Sequence, residues 1–313
     1  MDNTGLLHRN WSKALLTAEL KTTKATPWQD YYDVYYERHR HTVTGTIKIA
    51  KDVESPQLKN RRDILVYLPP SYATSSQRYP VLYMHDGYNL FDEATSYVGE
   101  WQVDETMERL SAEEGLEAII VGIPNMGRER MNEYSPFKDG QYGGGHGRDY
   151  LSFIVHTLKP MIDRDFRTLP DKRHTGLMGS SMGGLISLYG FFEFPATFGF
   201  AGVMSPSLWF AHNAIFEYVE RAAFQQGKIY LDAGTREMGG FWPDQHVLIS
   251  RSRRYYGRVR HLKRLLIKKG YRPTRNLLHI EAKGHGHDEA AWGKRLPEAI
   301  RFFLGVKPVN SKQ

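Results

Sequence analysis

Short apolar runs alternate with amphipathic stretches from residue 80 onward, and this alternation constrains the fold more than any other feature. Residues 80–84 (PVLYM) and 118–123 (AIIVGI) are too short for buried helices. They also lack the in–out alternation of a half-exposed strand, so each reads as a strand covered on both faces. Residues 44–50, 63–68, 174–178, 200–204, 228–231 and 276–282 read as further strands. Between them, 103–111, 150–162, 182–192 and 213–223 carry helical patterns, and 296–304 closes the chain. In 150–162 the spacing of Leu151, Ile154, Leu158 and Ile162 carries that pattern. Strands separated by helices pair in parallel. The expected fold is therefore α/β: a three-layer sandwich with a mostly parallel central sheet of about eight strands and helices on both faces. One domain over 42–306 is the economical reading, with 307–313 as a tail.

Residues 1–41 differ in character. Thr26-Pro27-Trp28-Gln29 reads as a capped helix start with proline at the first helical position. Trp28, Tyr31, Tyr32, Tyr35, Tyr36 and His39 continue at helical spacing. This predicts a helical, aromatic-rich extension packed on the main domain, acting as a lid over it, or forming a dimer contact.

Composition narrows the function. There are 42 Lys+Arg against 35 Asp+Glu, a formal net charge of +7. Much of the excess lies in 251–269, which has nine basic residues and no acidic one. Val259, Leu262 and Leu266 recur there at helical spacing, so the stretch reads as a helix with a solvated basic face. It matches no nucleic-acid module. The absence of cysteine excludes disulfides, thiolate metal sites and a cysteine nucleophile. No apolar run approaches the roughly 18 residues of a membrane span, and the first 21 residues make a poor secretory signal. The expectation is a cytoplasmic protein with no membrane or nucleic-acid partner, a homo-oligomer being left open.

Gly179-Ser180-Ser181-Met182-Gly183 is a G-x-S-x-G pentapeptide between an expected strand and an expected helix. In that setting the central serine occupies a sharp, strained turn with its hydroxyl exposed, which makes Ser181 the candidate nucleophile. Its base is expected after the last strand, at His285 or His287. The acid that orients the base is expected after 228–231, at Glu237, which is better placed to reach across, or at Asp232. Two backbone amides for an oxyanion are expected at Met182 and at Tyr88, the latter in His85-Asp86-Gly87-Tyr88-Asn89. The 143–147 stretch (GGGHG) lacks the residues of a phosphate loop, and no metal-ligand spacing occurs.

With these residues in place, the sequence resembles the putative esterase family of α/β-hydrolases, which includes feruloyl, esterase D-like and enterobactin-type siderophore esterases. The likeness rests on Tyr67-Leu68-Pro69-Pro70-Ser71-Tyr72, Tyr83-Met84-His85-Asp86-Gly87, Glu133-Tyr134-Ser135-Pro136, Phe166-Arg167-Thr168-Leu169-Pro170, 179–184 and Ser205-Pro206-Ser207-Leu208-Trp209. The resemblance implies Ser181 as nucleophile, Glu237 as acid after a Gly-Thr pair, and His287 as base, five residues before Trp292. It departs at Glu237, where members often have aspartate, and at Tyr88, commonly glutamine.

The implied reaction is acyl transfer from a small-molecule ester through a covalent acyl-enzyme, without cofactor or metal. An aryl, acyl or sugar ester is the expected substrate. Trp101, Tyr134, Tyr142, Trp209 and Trp242 are candidate cleft aromatics. Arg128, Arg130 and Arg148 are candidate contacts to an anionic substrate. Alternatives are an acyltransferase on the same residues, a siderophore esterase, or a binding protein on a hydrolase fold.

Overall fold

The structure is a computed structural model and describes residues 26–35, 41–238 and 245–305. Its main sheet contains β1 (Trp28–Asp30), β2 (Thr46–Ser55), β3 (Asn60–Leu68), β4 (Val81–His85), β5 (Ile119–Ile123), β6 (Thr175–Ser180), β7 (Phe200–Met204), β8 (Lys228–Gly234) and β9 (Leu277–Ala282). Their spatial order is β1-β2-β3-β5-β4-β6-β7-β8-β9. From β5 to β9 all pairings are parallel. The β1–β2, β2–β3 and β3–β5 pairings are antiparallel. The mostly parallel sheet expected from the sequence is thus present, with one additional edge strand.

The helices of five or more residues are α1 (Tyr31–Tyr35), α2 (Val103–Glu114), α3 (Gly147–Phe153, continued by a π-turn at Ile154–Leu158 and by Lys159–Asp165), α4 (Met182–Glu193), α5 (Phe210–Arg221), α6 (Gln245–Lys269) and α7 (Glu289–Leu304). Alternating strand residues feed two cores, one on each face of the sheet. Val81, Tyr83, Val121, Leu177 and Val203 pack with residues of α3 to α6. Leu82, Met84, Ile120, Met178 and Tyr230 pack with α2 and α7. Period-2 alternation inside an apolar run produces this two-sided burial.

Three expectations need correction. Trp28–Asp30 is not a first helical turn but an antiparallel edge strand, with Trp28 opposite Ala50 and Asp30 opposite Lys48. The unpaired edge of β2 outweighs the local helix signal, and the Trp28 indole is anchored on Asp165 at 2.9 Å. The closing helix begins at Glu289 rather than 296, because Asp288 caps it by accepting from the Ala291 amide at 2.8 Å. Pro297 lies inside that helix without ending it. The basic helix also starts earlier than 251, at Gln245. Residues 1–25 and 36–40, most of the expected aromatic extension, lie outside the described residues, as do Trp242 and the 307–313 tail.

Candidate active site

The C-terminal ends of β4, β6, β7 and β8 converge on one site. After β6 the chain turns at Ser181, whose φ of 57° and ψ of −118° place a non-glycine residue in a sparsely populated region. Such a conformation costs about 1–3 kcal/mol and persists because its surroundings impose it. The Ser181 amide donates to the Met204 carbonyl at 3.0 Å, and the Ser207 amide donates to the Ser181 carbonyl at 2.9 Å. Both links tie the turn to the loop after β7. The strained serine expected from the pentapeptide is there.

Beyond β8, the side chain of Glu237 turns inward and is fully buried. Its Oε2 lies 2.6 Å from His287 Nδ1, and its Oε1 accepts from the Ser205 hydroxyl at 2.7 Å. The loops carrying these two residues are joined along their backbones. The Arg236 amide donates to the His285 carbonyl and the Thr235 amide to the Ala282 carbonyl, both at 3.0 Å. Gly234 permits the approach, since a Cβ there would collide with the His285 carbonyl. The His287 ring is held edge-on against Tyr255 (centroids 5.5 Å apart) and Trp292 (5.0 Å). An imidazole fixed by one nitrogen and two aromatic walls keeps its other nitrogen available for proton transfer.

The remaining sequence candidates fall in other places. Asp232 is buried, but its partner is Arg295, whose Nε donates at 2.8 Å, together with the Tyr230 hydroxyl at 2.9 Å. Burial pushes the Asp232 carboxyl above its ordinary pKa, and Arg295 opposes that shift. It does not touch the imidazole of His287. His285 Nδ1 faces Arg295 at 3.3 Å, so of the two histidines only His287 meets Glu237.

Ser181 Oγ is hydrogen-bonded to Ser207 Oγ at 3.0 Å rather than to the imidazole. Tyr255 connects the two halves. Its ring packs on His287, its hydroxyl donates to the Ser205 carbonyl, and the Ser207 side chain acts on the same phenol. Ligand-free catalytic hydrogen bonds are often loose in this way and tighten only around the substrate.

The Met182 amide opens α4, and Tyr88 lies in the short turn Gly87–Asn89 after β4. Among the described residues no intrachain hydrogen bond claims either amide. The left-handed residue in that turn is Asp86 (φ 57°), not Gly87. Gly87 is needed for close approach: a Cβ would stand 2.7 Å from the backbone of Gly122, Ile123 and Pro124. Arg130 and Asn125 grip the Asp86 carboxylate, and Tyr134 Oη accepts from the Asp86 amide at 3.0 Å. Burial opposes ionisation of Asp86, but Arg130 prevails and holds its carboxyl below the usual range.

Several proposed substrate contacts are therefore scaffold. Tyr134 is fully buried behind the Asp86 loop, Arg130 is committed to Asp86, and Arg148 pairs with Glu193 at 2.8 Å. Trp101 is buried against Trp292, with centroids 5.5 Å apart, so it supports the His287 loop from behind. Arg128 is exposed in the turn Gly127–Glu129. Trp209 is partly exposed and meets Tyr142 edge-on at 5.4 Å. It stands two residues beyond Ser207, the partner of Ser181.

Sequence reasoning missed Ser205, Ser207, Tyr255 and Arg295. Tyr255 had a usable signal, because it extends the Val259, Leu262 and Leu266 stripe by one helical step.

Comparison with known proteins bears on the family and the fold. Residues 55–303 match the family described as "Putative esterase". A curated relative, the uncharacterized protein YbbA of Bacillus subtilis (strain 168), is 26% identical over 253 residues, covering 79% of this chain and 93% of that protein. Among solved structures, an IroE-like serine hydrolase from Shewanella oneidensis is 24% identical with a TM-score of 0.61, covering 80% of this chain and 78% of that one. The siderophore hydrolase EstB from Aspergillus nidulans is 18% identical with a TM-score of 0.65, covering 83% and 96%. With a family match spanning most of its length, the chain belongs to the Putative esterase family and is a carboxylic ester hydrolase on an α/β-hydrolase-like fold.

Proposed function

We propose that the protein is a serine esterase working through a covalent acyl-enzyme, with Ser181 as nucleophile, His287 as base and Glu237 as the acid that orients it. The observation that carries this reading is the pairing of buried Glu237 with partly exposed His287, 2.6 Å between Oε2 and Nδ1, at the same sheet end as the strained Ser181. As substrate enters, the Ser181 hydroxyl leaves Ser207 and gives its proton to His287 Nε2 while Oγ attacks the ester carbonyl. The Tyr88 and Met182 amides receive the oxyanion, each donor contributing about 3–4 kcal/mol in the transition state. The imidazolium, stabilised by Glu237, protonates the leaving alcohol. Water, activated by the same imidazole, then releases the acid.

An ester of an aromatic acid is the substrate class we favour, because the Trp209–Tyr142 pair offers a partly exposed aromatic wall next to the Ser207 loop. The printed descriptions of EstB as a siderophore hydrolase and of a ferulic acid esterase among the structural neighbours support the same class. A panel of p-nitrophenyl, feruloyl, acetyl-sugar and siderophore esters tests the reading. Hydrolysis of at least one aromatic ester is expected, with a loss on the order of 10⁵-fold in kcat for Ser181→Ala and a retained fold. Turnover by Ser181→Ala near the wild-type rate would defeat the assignment of Ser181. Transfer to added alcohols in preference to water would make the enzyme an acyltransferase.

A further inference from the structure

Ser205, the residue following β7, is fully buried, and each of its polar atoms has a partner. Its amide donates to Asp232 Oδ1 at 3.0 Å, and its carbonyl accepts from the Tyr255 hydroxyl. Its hydroxyl lies 2.7 Å from Glu237 Oε1 and 2.9 Å from Arg295 Nη2. Its φ of 37° is positive, which a residue with a Cβ adopts only where its surroundings impose it. The neighbouring residues hold the other half of the site. The Met204 carbonyl accepts from the Ser181 amide, and the Ser207 amide donates to the Ser181 carbonyl.

Valence fixes the direction of the hydroxyl's bonds. A guanidinium only donates, so Arg295 donates to the Ser205 oxygen. The hydroxyl has one proton of its own, and among the described residues its acceptor is Glu237 Oε1. The Gly234 amide donates to the same oxygen, so Oε1 has no lone pair left for an acid proton. A proton on the Glu237–His287 pair therefore lies between Oε2 and Nδ1. Donors on Oε1 favour the ionised carboxylate, and the Arg295 charge strengthens them by polarising the hydroxyl. Arg295 itself is fixed on Asp232, with Nε and Nη2 donating at 2.8 and 3.2 Å. Burial and the Glu237 charge push the Tyr255 phenol well up, so it stays neutral beside the imidazole.

We infer that Ser205 is a positioning residue for the acid of the site: its hydroxyl fixes the Glu237 carboxylate and keeps it ionised toward His287, with Arg295 setting the direction of the bond. This role rests on the assignment of Ser181, His287 and Glu237 proposed above. It divides the two oxygens of Glu237 between two tasks, Oε1 being the anchor and Oε2 the contact to the imidazole. A glutamate has one more rotatable bond than an aspartate, and the Ser205 and Gly234 donors remove that freedom. The segment 204–207 thus positions both ends of the site, the nucleophile through Met204 and Ser207 and the acid through Ser205.

Steady-state kinetics of the full chain on a p-nitrophenyl ester, measured across pH beside thermal melts, test the role. Ser205→Ala and Ser205→Gly should each lower kcat about tenfold and leave KM within about twofold, as for loss of one hydrogen bond to a charged group. The acid limb of the kcat/KM profile should move up by about half a pH unit, because a carboxylate stripped of its donor holds the imidazolium more tightly. Ser205→Gly relieves the positive φ, so it should melt above Ser205→Ala while sharing its kinetics. In a Glu237→Gln background, Ser205→Ala should lower kcat no further, since the group it serves is gone. Wild-type kcat and pH profile in Ser205→Ala, with Glu237 still required, would overturn the role and leave the triad standing. Losses that follow the melting temperatures, or that add in full to those of Glu237→Gln, would also overturn it. Wild-type kcat in Glu237→Gln would instead remove the triad reading, and this role with it.

Discussion

Asp232 and Glu237 stand five positions apart at the same end of β8, both without solvent exposure, yet they have different tasks. Asp232 is still part of the strand and is answered by Arg295, a permanently charged group from α7. Glu237 is in the loop beyond and is answered by His287, a group that can gain and lose a proton and is partly exposed. Ser205 sits between them: its amide serves Asp232 at 3.0 Å and its hydroxyl serves Glu237 at 2.7 Å. Arg295 reaches the same hydroxyl at 2.9 Å. The two acids thus share one frame, in which the inner pair is an ion pair with a fixed charge and the outer pair, in the proposed mechanism, handles a proton. Equal burial says nothing about role; the partner's chemistry does.

Substitution separates the two roles. Glu237→Gln should keep the fold and lower kcat on the order of 10³-fold, because the imidazole loses the charge that stabilises its protonated form. Steady-state kinetics beside a thermal melt checks this. A variant with near wild-type kcat would erase the distinction. Asp232→Asn should do the reverse, leaving Arg295 buried and poorly compensated at a cost of about 3–5 kcal/mol in urea unfolding. Its folded fraction should retain kcat within about threefold, as expected where the reacting atoms are untouched.

The contrast extends to a smaller effect in the histidines. His287 faces a carboxylate, whereas His85 is fully buried between the Tyr150 and Ser187 hydroxyls. Burial lowers His85 from 6.5 to about 3, so it stays neutral in the native protein. Burial, with Lys263 nearby, lowers His279 to about 4. Below pH 6.5 the unfolded chain takes up protons that these native histidines refuse. Stability should therefore fall as pH drops from about 6.5 toward 4, by up to about 1.4 kcal/mol per pH unit for each histidine. Denaturant midpoints across that range measure the slope, which should shrink in His85→Gln.

The order of strands and helices was legible because buried strands write themselves as short apolar runs, as at 80–84 and 118–123. Ser181 was legible because its turn is written in a local pentapeptide, although the Met204 and Ser207 bonds that hold it come from the end of β7 and the loop after it. The choice between Asp232 and Glu237 depends on an arginine some sixty positions later, and nothing near β8 announces Arg295. Aromatic residues gave the weakest reading. Tyr134 and Trp101 have the chemistry of a cleft wall, but packing against Asp86 and Trp292 puts them behind the site. Trp28 shows the same limit in the backbone, since the demand of an open strand edge is invisible in a local helix signal.

The most direct test of the account is to treat the protein with a fluorophosphonate and locate the adduct by peptide mass spectrometry. The account predicts one adduct per chain, on Ser181, forming more slowly in Glu237→Gln and absent in Ser181→Ala. An adduct on another residue, or undiminished ester turnover in a protein that takes up no probe, would contradict it.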